Sequence, residues 1–183
     1  MNVQRQKILF LLRTFLNMEI KARIDDATGI RNFLFENNAK FKGVDLQQDT
    51  YFNVKRGRLK LREGNIENNL IYYERADMKG PKNSHFQLVK VTDSIQLKDV
   101  LEKSIGIKVI VQKKREIYFI GNVKFHIDEV PGLGSFIEIE ASNINSDIPE
   151  EKLLEQCEYY MNRFEVKPGD LVTNSYSDLI NSE

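Results

Sequence analysis

Residues 17–24 read Asn17-Met18-Glu19-Ile20-Lys21-Ala22-Arg23-Ile24, a strict alternation of polar and apolar side chains. Successive side chains of a strand point to opposite faces, so the stretch predicts a β-strand with Met18, Ile20, Ala22 and Ile24 on one side and Asn17, Glu19, Lys21 and Arg23 on the other. The same parity recurs where Arg58, Lys60 and Arg62 flank Leu59 and Leu61, and where Glu138 and Glu140 flank Ile139. An antiparallel sheet with one face in water alternates in this way too. The sorting by sign sets these segments apart: one polar face is wholly cationic and another wholly anionic, whereas a solvated surface mixes its charges. If the charged faces converge, they enclose a basic pocket with a carboxylate cluster, the chemistry that holds a metal-bound polyphosphate.

The chain has 183 residues, enough for one domain with a substantial core. With 41% hydrophobic and 30% charged residues it has the composition of a globular protein, neither disordered nor membrane-spanning. Lys+Arg and Asp+Glu both number 27, which gives no general attraction to nucleic acid or anionic lipid, so any anion site must be made locally. A single cysteine, Cys157, excludes an intramolecular disulfide and a cysteine-based zinc cluster. It lies among apolar residues on a predicted helix, which reads as a buried inert thiol in a reducing cytoplasm. Near the N-terminus, Ile8 to Leu12 is too short to span a bilayer and no small-residue cleavage site follows, so residues 1–16 read as a helical extension ahead of a domain over 17–183.

After the first strand, Asp25 or Asp26 can cap a helix bearing Ile30, Phe33 and Leu34 and ending at Asn37-Asn38. Strands are expected at 44–54, 57–63, 69–76 and 85–91, with turns at Gly64 to Asn69 and Lys79 to Ser84. A helix over 94–105 has Ile95, Leu97, Val100, Leu101 and Ile105 available to cover a sheet face. Strands at 107–120, 122–129 and 135–142 follow, the first two joined by a tight Gly121-Asn122 turn. A third helix starts near Asp147, with Pro149 in its first turn and Glu150 three residues after the cap. About eight strands without βα alternation predict an α+β fold built on one large, mainly antiparallel sheet or barrel.

The cationic candidates are Lys21, Arg23, Arg58, Lys60, Arg62, Arg75, Lys113 and Arg115, since arginine forks and lysine ammonium groups on several strands can grip a triphosphate without a glycine loop. The acidic candidates are Glu19, Asp128, Glu138 and Glu140, hard oxygen ligands suited to Mg²⁺ or Mn²⁺. Gly132-Leu133-Gly134 reads as a turn between strands rather than a nucleotide fingerprint. His85 and His126 lack ligand spacing and read as surface or hydrogen-bonded histidines. Lys113-Lys114-Arg115 lacks an aromatic platform, and Lys114 points away from its neighbours, so nucleic acid is not the expected partner.

The segments 17–21, 58–62, 126–130, 132–134 and 136–140, in that order, are similar to the CYTH superfamily of triphosphate tunnel metalloenzymes, most of all to proteins described as class IV adenylate cyclases. The resemblance runs from about Asn17 to the Ser175-Tyr176-Ser177-Asp178-Leu179 tail. It implies a closed antiparallel barrel with flanking helices, whose interior forms a tunnel for a nucleoside or inorganic triphosphate. Lys21, Arg58, Lys60, Arg62 and Arg115 resemble the phosphate-binding catalytic set, with Arg23, Arg75 and Lys113 as further substrate-binding residues. Glu19, Asp128, Glu138 and Glu140 resemble the metal set for Mg²⁺ or Mn²⁺. The superfamily's first strand reads E-x-E-x-K, and Asn17 stands at the first glutamate: an amide oxygen can ligate a metal but adds no negative charge. The implied activities are adenylate cyclase, then thiamine or inorganic triphosphatase, then a non-catalytic nucleotide- or polyphosphate-binding module. No membrane partner is expected, and a homodimer is left open.

Overall fold

The computed structural model of the protein describes residues 15–75, 78–144 and 147–180. In chain order the elements are β1 (Phe15–Ile24), α1 (Thr28–Glu36), β2 (Lys40–Phe52), β3 (Arg58–Glu63), β4 (Asn69–Arg75), β5 (Lys82–Lys90), α2 (Ser94–Ile105), β6 (Ile107–Ile120), β7 (Val123–Val130), β8 (Gly134–Ser142), α3 (Glu150–Arg163) and α4 (Tyr176–Ile180). The eight strands close into a barrel in the order β1-β5-β4-β3-β2-β6-β7-β8, with every neighbouring pair antiparallel. Closure leaves no unpaired edge. None of the described helices is long and apolar enough to cross a membrane.

The alternation sends the apolar residues outward. Met18, Ile20 and Ala22 of β1, Val123, Phe125 and Ile127 of β7, and Ile137, Ile139 and Ala141 of β8 are buried against Ile30 and Leu34 of α1 and Leu153 and Cys157 of α3. Phe125 meets Tyr160 edge-on at 4.7 Å and Phe164 at 5.8 Å, tying α3 to the barrel wall. The main hydrophobic core therefore lies between the barrel and its helices, and the interior is left to polar side chains. The Cys157 thiol donates to the Met18 carbonyl oxygen at 3.0 Å, and burial pushes it up to about 12, which makes it inert as a nucleophile.

Some local expectations shift. β1 begins at Phe15, two residues ahead of the expected domain boundary, and the expected N-terminal helix falls on residues outside those described. β2 starts at Lys40 rather than 44, because a register shift between Phe41 and Gly43 interrupts its alternation. Asp26 accepts from the Thr28 N–H and hydroxyl, organising the turn before α1, whose own N-cap is Ala27. Likewise α3 starts behind Pro149 with no side-chain cap. The α2 helix buries none of its residues, and Ile95 is 80% exposed, so it lies along the barrel without sealing a core.

Phe125→Ala is expected to lower unfolding stability by about 3–5 kcal/mol, the range for emptying a buried aromatic site. Urea denaturation followed by circular dichroism checks this.

Candidate functional site

The polar faces of the strands converge on an interior cavity of about 500 Å³. Its cations come from four strands on different sides of the barrel: Lys21 on β1, Lys60 and Arg62 on β3, Arg75 on β4, and Lys113 and Arg115 on β6; Lys124 on β7 joins them. Its acids are Glu19, Asp49, Glu138 and Glu140 from the wall and Glu67 from the loop after β3.

Most of these charges are tolerable in the interior because they are paired. Asp49, almost fully buried, takes Lys60 at 3.0 Å, Lys113 at 2.6 Å, and Arg62 through both oxygens at 2.9 and 3.0 Å. Burial opposes its ionisation, but Arg62, Lys113 and Lys60 hold its carboxyl well below the usual carboxylate range. Glu138 takes Lys21 at 3.1 Å and Arg115 at 2.6 Å. Arg75 donates through Nη1 to Glu19, while its Nε and Nη2 are buried with no hydrogen-bond partner. Burial pushes the Lys113 ammonium down to about 7, since Arg62, Arg115 and Lys60 offset much of what Asp49 contributes.

The carboxylate cluster fits a divalent ion. Ligand atoms of His126, Glu138 and Glu140 lie within 4.8 Å of one another, the only such group of three among the described residues. His126 Nδ1 is 3.3 Å from Glu138 and 3.6 Å from Glu140. Burial, with Arg115 and Lys124 nearby, pushes His126 down to about 3, so the imidazole is neutral and able to offer a lone pair. Burial pushes Glu140 up to about 7, and the Glu19 and Glu138 charges add to this despite Lys124: Glu140 is crowded by carboxylates whose own cations pair elsewhere. The Asn17 Oδ1 beside them is buried without a hydrogen-bond partner. An orphaned amide oxygen, crowded carboxylates and a neutral imidazole form a donor set for a hard or borderline cation.

The two ends of the cavity differ. At one end the chain after α3 is strapped across the barrel: the Val172 N–H donates to the Lys21 carbonyl at 2.9 Å, and Lys82 Nζ donates to the Thr173 carbonyl at 2.9 Å. Tyr176 covers this end, its ring 3.5 Å beneath Lys21 Nζ and its hydroxyl donating to Asp128 at 2.8 Å. The other end is apolar and open, lined by Ile71, Phe86, Leu88, Phe119 and Ile144, with Leu88 38% and Ile144 37% exposed. From open to closed end, β1 presents Asn17, Glu19 and Lys21 and β8 presents Ser142, Glu140 and Glu138.

Lys21, Lys60, Arg62, Arg75, Lys113, Arg115, Glu19, Glu138 and Glu140 thus share one cavity. Three expected site residues stand apart from its lining. Asp128 has no solvent exposure, and its oxygens are taken by Arg115 at 2.6 and 2.5 Å and by Tyr176, so it braces Arg115 from behind. Arg58 pairs with Asp178 at 3.0 Å at the closed end. Arg23 is exposed, donating to the Leu133 carbonyl at 2.6 Å and lying over the Phe136 ring. Sequence reading passed over Asp49, Glu67, Lys124, Tyr176 and the site placement of His126. Parity carried a signal for three of them: Asp49 shares a face with Asp45 and Gln47, and Lys124 and His126 share one with Asp128.

A CYTH domain family model matches residues 16–176. A Methanocaldococcus jannaschii protein with the provisional name of adenylate cyclase is 30% identical over 182 residues, covering 90% of this chain and 98% of that protein. Among solved structures, the PH1012 protein of Pyrococcus horikoshii superposes with a TM-score of 0.75 at 23% identity, covering 89% of this chain and 98% of that one. A Vibrio parahaemolyticus protein, also provisionally an adenylate cyclase, gives 0.74 at 18% identity, covering 92% and 99%. A Hippeastrum protein described as revealing a dominant triphosphatase activity gives 0.61 at 14% identity, covering 92% and 95%. These superpositions establish the closed tunnel barrel. The chain belongs to the CYTH family, whose enzymes act on triphosphates with a divalent metal ion.

Proposed function

We propose that the barrel converts a nucleoside triphosphate, ATP in the leading case, into the cyclic nucleotide and pyrophosphate, using Mg²⁺ or Mn²⁺. The observation that carries this is the order of groups along the tunnel. The apolar open end suits a base, the carboxylates of Glu19 and Glu140 follow, and three cations, Lys21, Lys113 and Arg115, lie around Tyr176 at the closed end. A substrate entering phosphates first has its α-phosphate beside the carboxylates and its β- and γ-phosphates among the cations. That arrangement stabilises pyrophosphate as it leaves.

Glu19 and Glu138, with Glu140 and His126, would hold a divalent ion, and Arg75, Lys21 and Arg115 would then be released to donate to phosphate oxygens. Arg75 Nε and Nη2 are already free to do so. Bound there, a divalent ion would supply charge stabilisation at the reacting phosphate. Tyr176 and the strap hold the far end closed against water. The ribose 3′-oxygen forms the new bond to the α-phosphorus, the bond to the bridging oxygen of the β-phosphate breaks, and the 3′-hydroxyl proton leaves to solvent. Hydrolysis at the terminal phosphate is the second reading, favoured by the cations around the position that phosphate would occupy.

Product analysis after incubation with ATP, tripolyphosphate and thiamine triphosphate in Mg²⁺ or Mn²⁺ separates the readings. Cyclic AMP with pyrophosphate supports the first and orthophosphate the second, while no turnover with retained binding assigns a binding module. Glu140→Ala is expected to cut metal-dependent turnover by about 100-fold or more, since a hard ligand contributes several kcal/mol of transition-state stabilisation. Because Glu140 is destabilising when ionised, the metal-free variant should melt no lower than wild type near neutral pH. Full turnover in the variant, or wild-type activity unaffected by chelator, argues against the metal assignment.

Asn17→Glu is expected to tighten Mn²⁺ binding in calorimetry by adding a carboxylate to the cluster, with any loss of metal-free thermal stability reversed by Mn²⁺. Unchanged affinity and melting would place Asn17 outside the metal site.

Lys113 gives a pH signature. Its folded-state pKa lies near 7, below the ordinary lysine value of 10.5, so above pH 7 the ammonium is neutral in the free protein. Bound phosphate restores the charge, so tripolyphosphate binding at about pH 8.5 should take up close to one proton, an uptake that disappears in Lys113→Met. Calorimetry in buffers of different ionisation enthalpy measures it. The linked sign for stability is a rise above pH 7, as the unfolded chain then binds more protons than the folded one.

A further inference from the structure

Tyr176 forms the floor of the cavity at its closed end, and both its backbone and its ring are held. The Ser175 N–H and hydroxyl donate to Asp178 Oδ2 at 3.2 and 2.6 Å, and Arg58 Nη2 donates to the same oxygen at 3.0 Å, which fixes the start of α4. The buried ring is fixed separately: its hydroxyl donates to Asp128 at 2.8 Å, and it meets the Phe136 ring edge-on at 5.0 Å. Behind it the protein is apolar, with Val111, Val130, Leu133 and Phe136 buried in one cluster with Tyr176, and Val172 and Leu179 packed against them. A held water needs about two to four polar partners, and those apolar side chains supply none. The neighbouring Ser175 hydroxyl is already engaged by Asp178 and lies 2.6 Å from Ser177 Oγ.

In front of the ring stand the cations. Lys21 Nζ is 3.5 Å from the ring centroid and Lys113 Nζ 5.9 Å, while Arg115 shares Asp128 with the tyrosine hydroxyl. A phosphate gripped by these three groups therefore rests against the ring. Phosphoryl transfer is an in-line displacement, in which the nucleophile approaches phosphorus from the side opposite the leaving oxygen. For the α-phosphorus of a substrate that enters phosphates first, that side faces the open end, where the ribose lies. For the terminal phosphorus it faces the closed end, and the Tyr176 ring fills it.

We propose that Tyr176 determines reaction specificity: it denies water the in-line position behind the terminal phosphate and so directs the barrel to cyclisation over hydrolysis. The inference rests on the phosphates-first cyclase reading above. Discrimination here comes from what is excluded, since the cations around the ring serve a leaving pyrophosphate and a terminal phosphate under attack alike. Without the ring, the space would border Asp128 and Lys21, polar partners able to hold a water. The water oxygen would then bond to the terminal phosphorus as the bond to the β–γ bridging oxygen breaks, with one proton leaving to solvent and orthophosphate separating from the diphosphate.

The test incubates wild type, Tyr176→Ala and Tyr176→Phe with ATP and Mn²⁺ in isotope-labelled water, and measures the ratio of ADP to cyclic AMP. Label in orthophosphate rather than in ADP locates the attack on the terminal phosphorus. Tyr176→Ala should raise the ratio by about tenfold or more, a change of about 1.4 kcal/mol in the relative barriers. Tyr176→Phe keeps the ring and should hold the ratio within about twofold of wild type, whatever it does to the overall rate. A purely structural defect would lower both products together and leave the ratio alone. If Tyr176→Ala does not fold by circular dichroism, Tyr176→Leu, which keeps an apolar side chain against Phe136 but shortens the floor, should raise the ratio by about threefold or more. An unchanged ratio or loss of both products in the folded variant, or a Tyr176→Phe protein that hydrolyses as Tyr176→Ala does, overturns the role of the ring and leaves the cyclase reading standing. A wild-type protein that forms no cyclic AMP overturns both.

Discussion

Asp49 is the interaction on which the interior depends. Three cations from two strands, Lys60 and Arg62 of β3 and Lys113 of β6, meet on its carboxylate. Without it they would face one another across a space with little water to screen them, and the like-charge and desolvation costs would open the barrel or deprotonate a lysine. Lys113 shows how near that limit the site runs, since even with Asp49 at 2.6 Å its ammonium titrates far below an ordinary lysine. The carboxylate keeps the three cations assembled on one side of the cavity.

The same logic applies across the tunnel with the signs exchanged. Glu19, Glu138 and Glu140 crowd together, and Arg75, Lys21 and Arg115 relieve part of that crowding. On the proposed function, a triphosphate carrying a divalent ion would substitute for both kinds of internal partner at once, and metal and phosphate binding would be coupled through the ion pairs each displaces.

The alternation at 17–24 separates the charged face of β1 from its apolar one, and parity within 58–62 and 138–140 does the same for β3 and β8, but that these faces converge on a cavity is not contained in the alternation, which a sheet with one face in water shares. Closure of the barrel came from likeness to a family rather than from periodicity, because period-two patterning fixes the face of a strand and not its partner. Asp128 has the right parity but stands behind Arg115, and depth within a wall is a tertiary property. His126 was discounted for want of ligand spacing along the chain; its partners Glu138 and Glu140 are neighbours across a hairpin, where sequence spacing has no meaning. Glu67 is the least legible, since nothing in Gly64-Asn65-Ile66-Glu67-Asn68 announces that a buried aspartate, Asp45, will hold the loop against the tunnel.

Because β1, β7 and β8 pack their apolar residues outward onto α1 and α3, fold stability and ligand chemistry are written on opposite faces of the same strands. Substitution at Lys21, Glu138 or Arg115 leaves the hydrophobic contacts of Ile20, Ile139 and Val123 in place, and exchange among outer apolar residues leaves the charges where they were. Such a scaffold can change its substrate over evolutionary time by rewriting alternate letters, provided that charges change in compensating sets. The Pyrococcus protein has the same barrel with 23% of the residues in common, so the shape tolerates that much change of lettering.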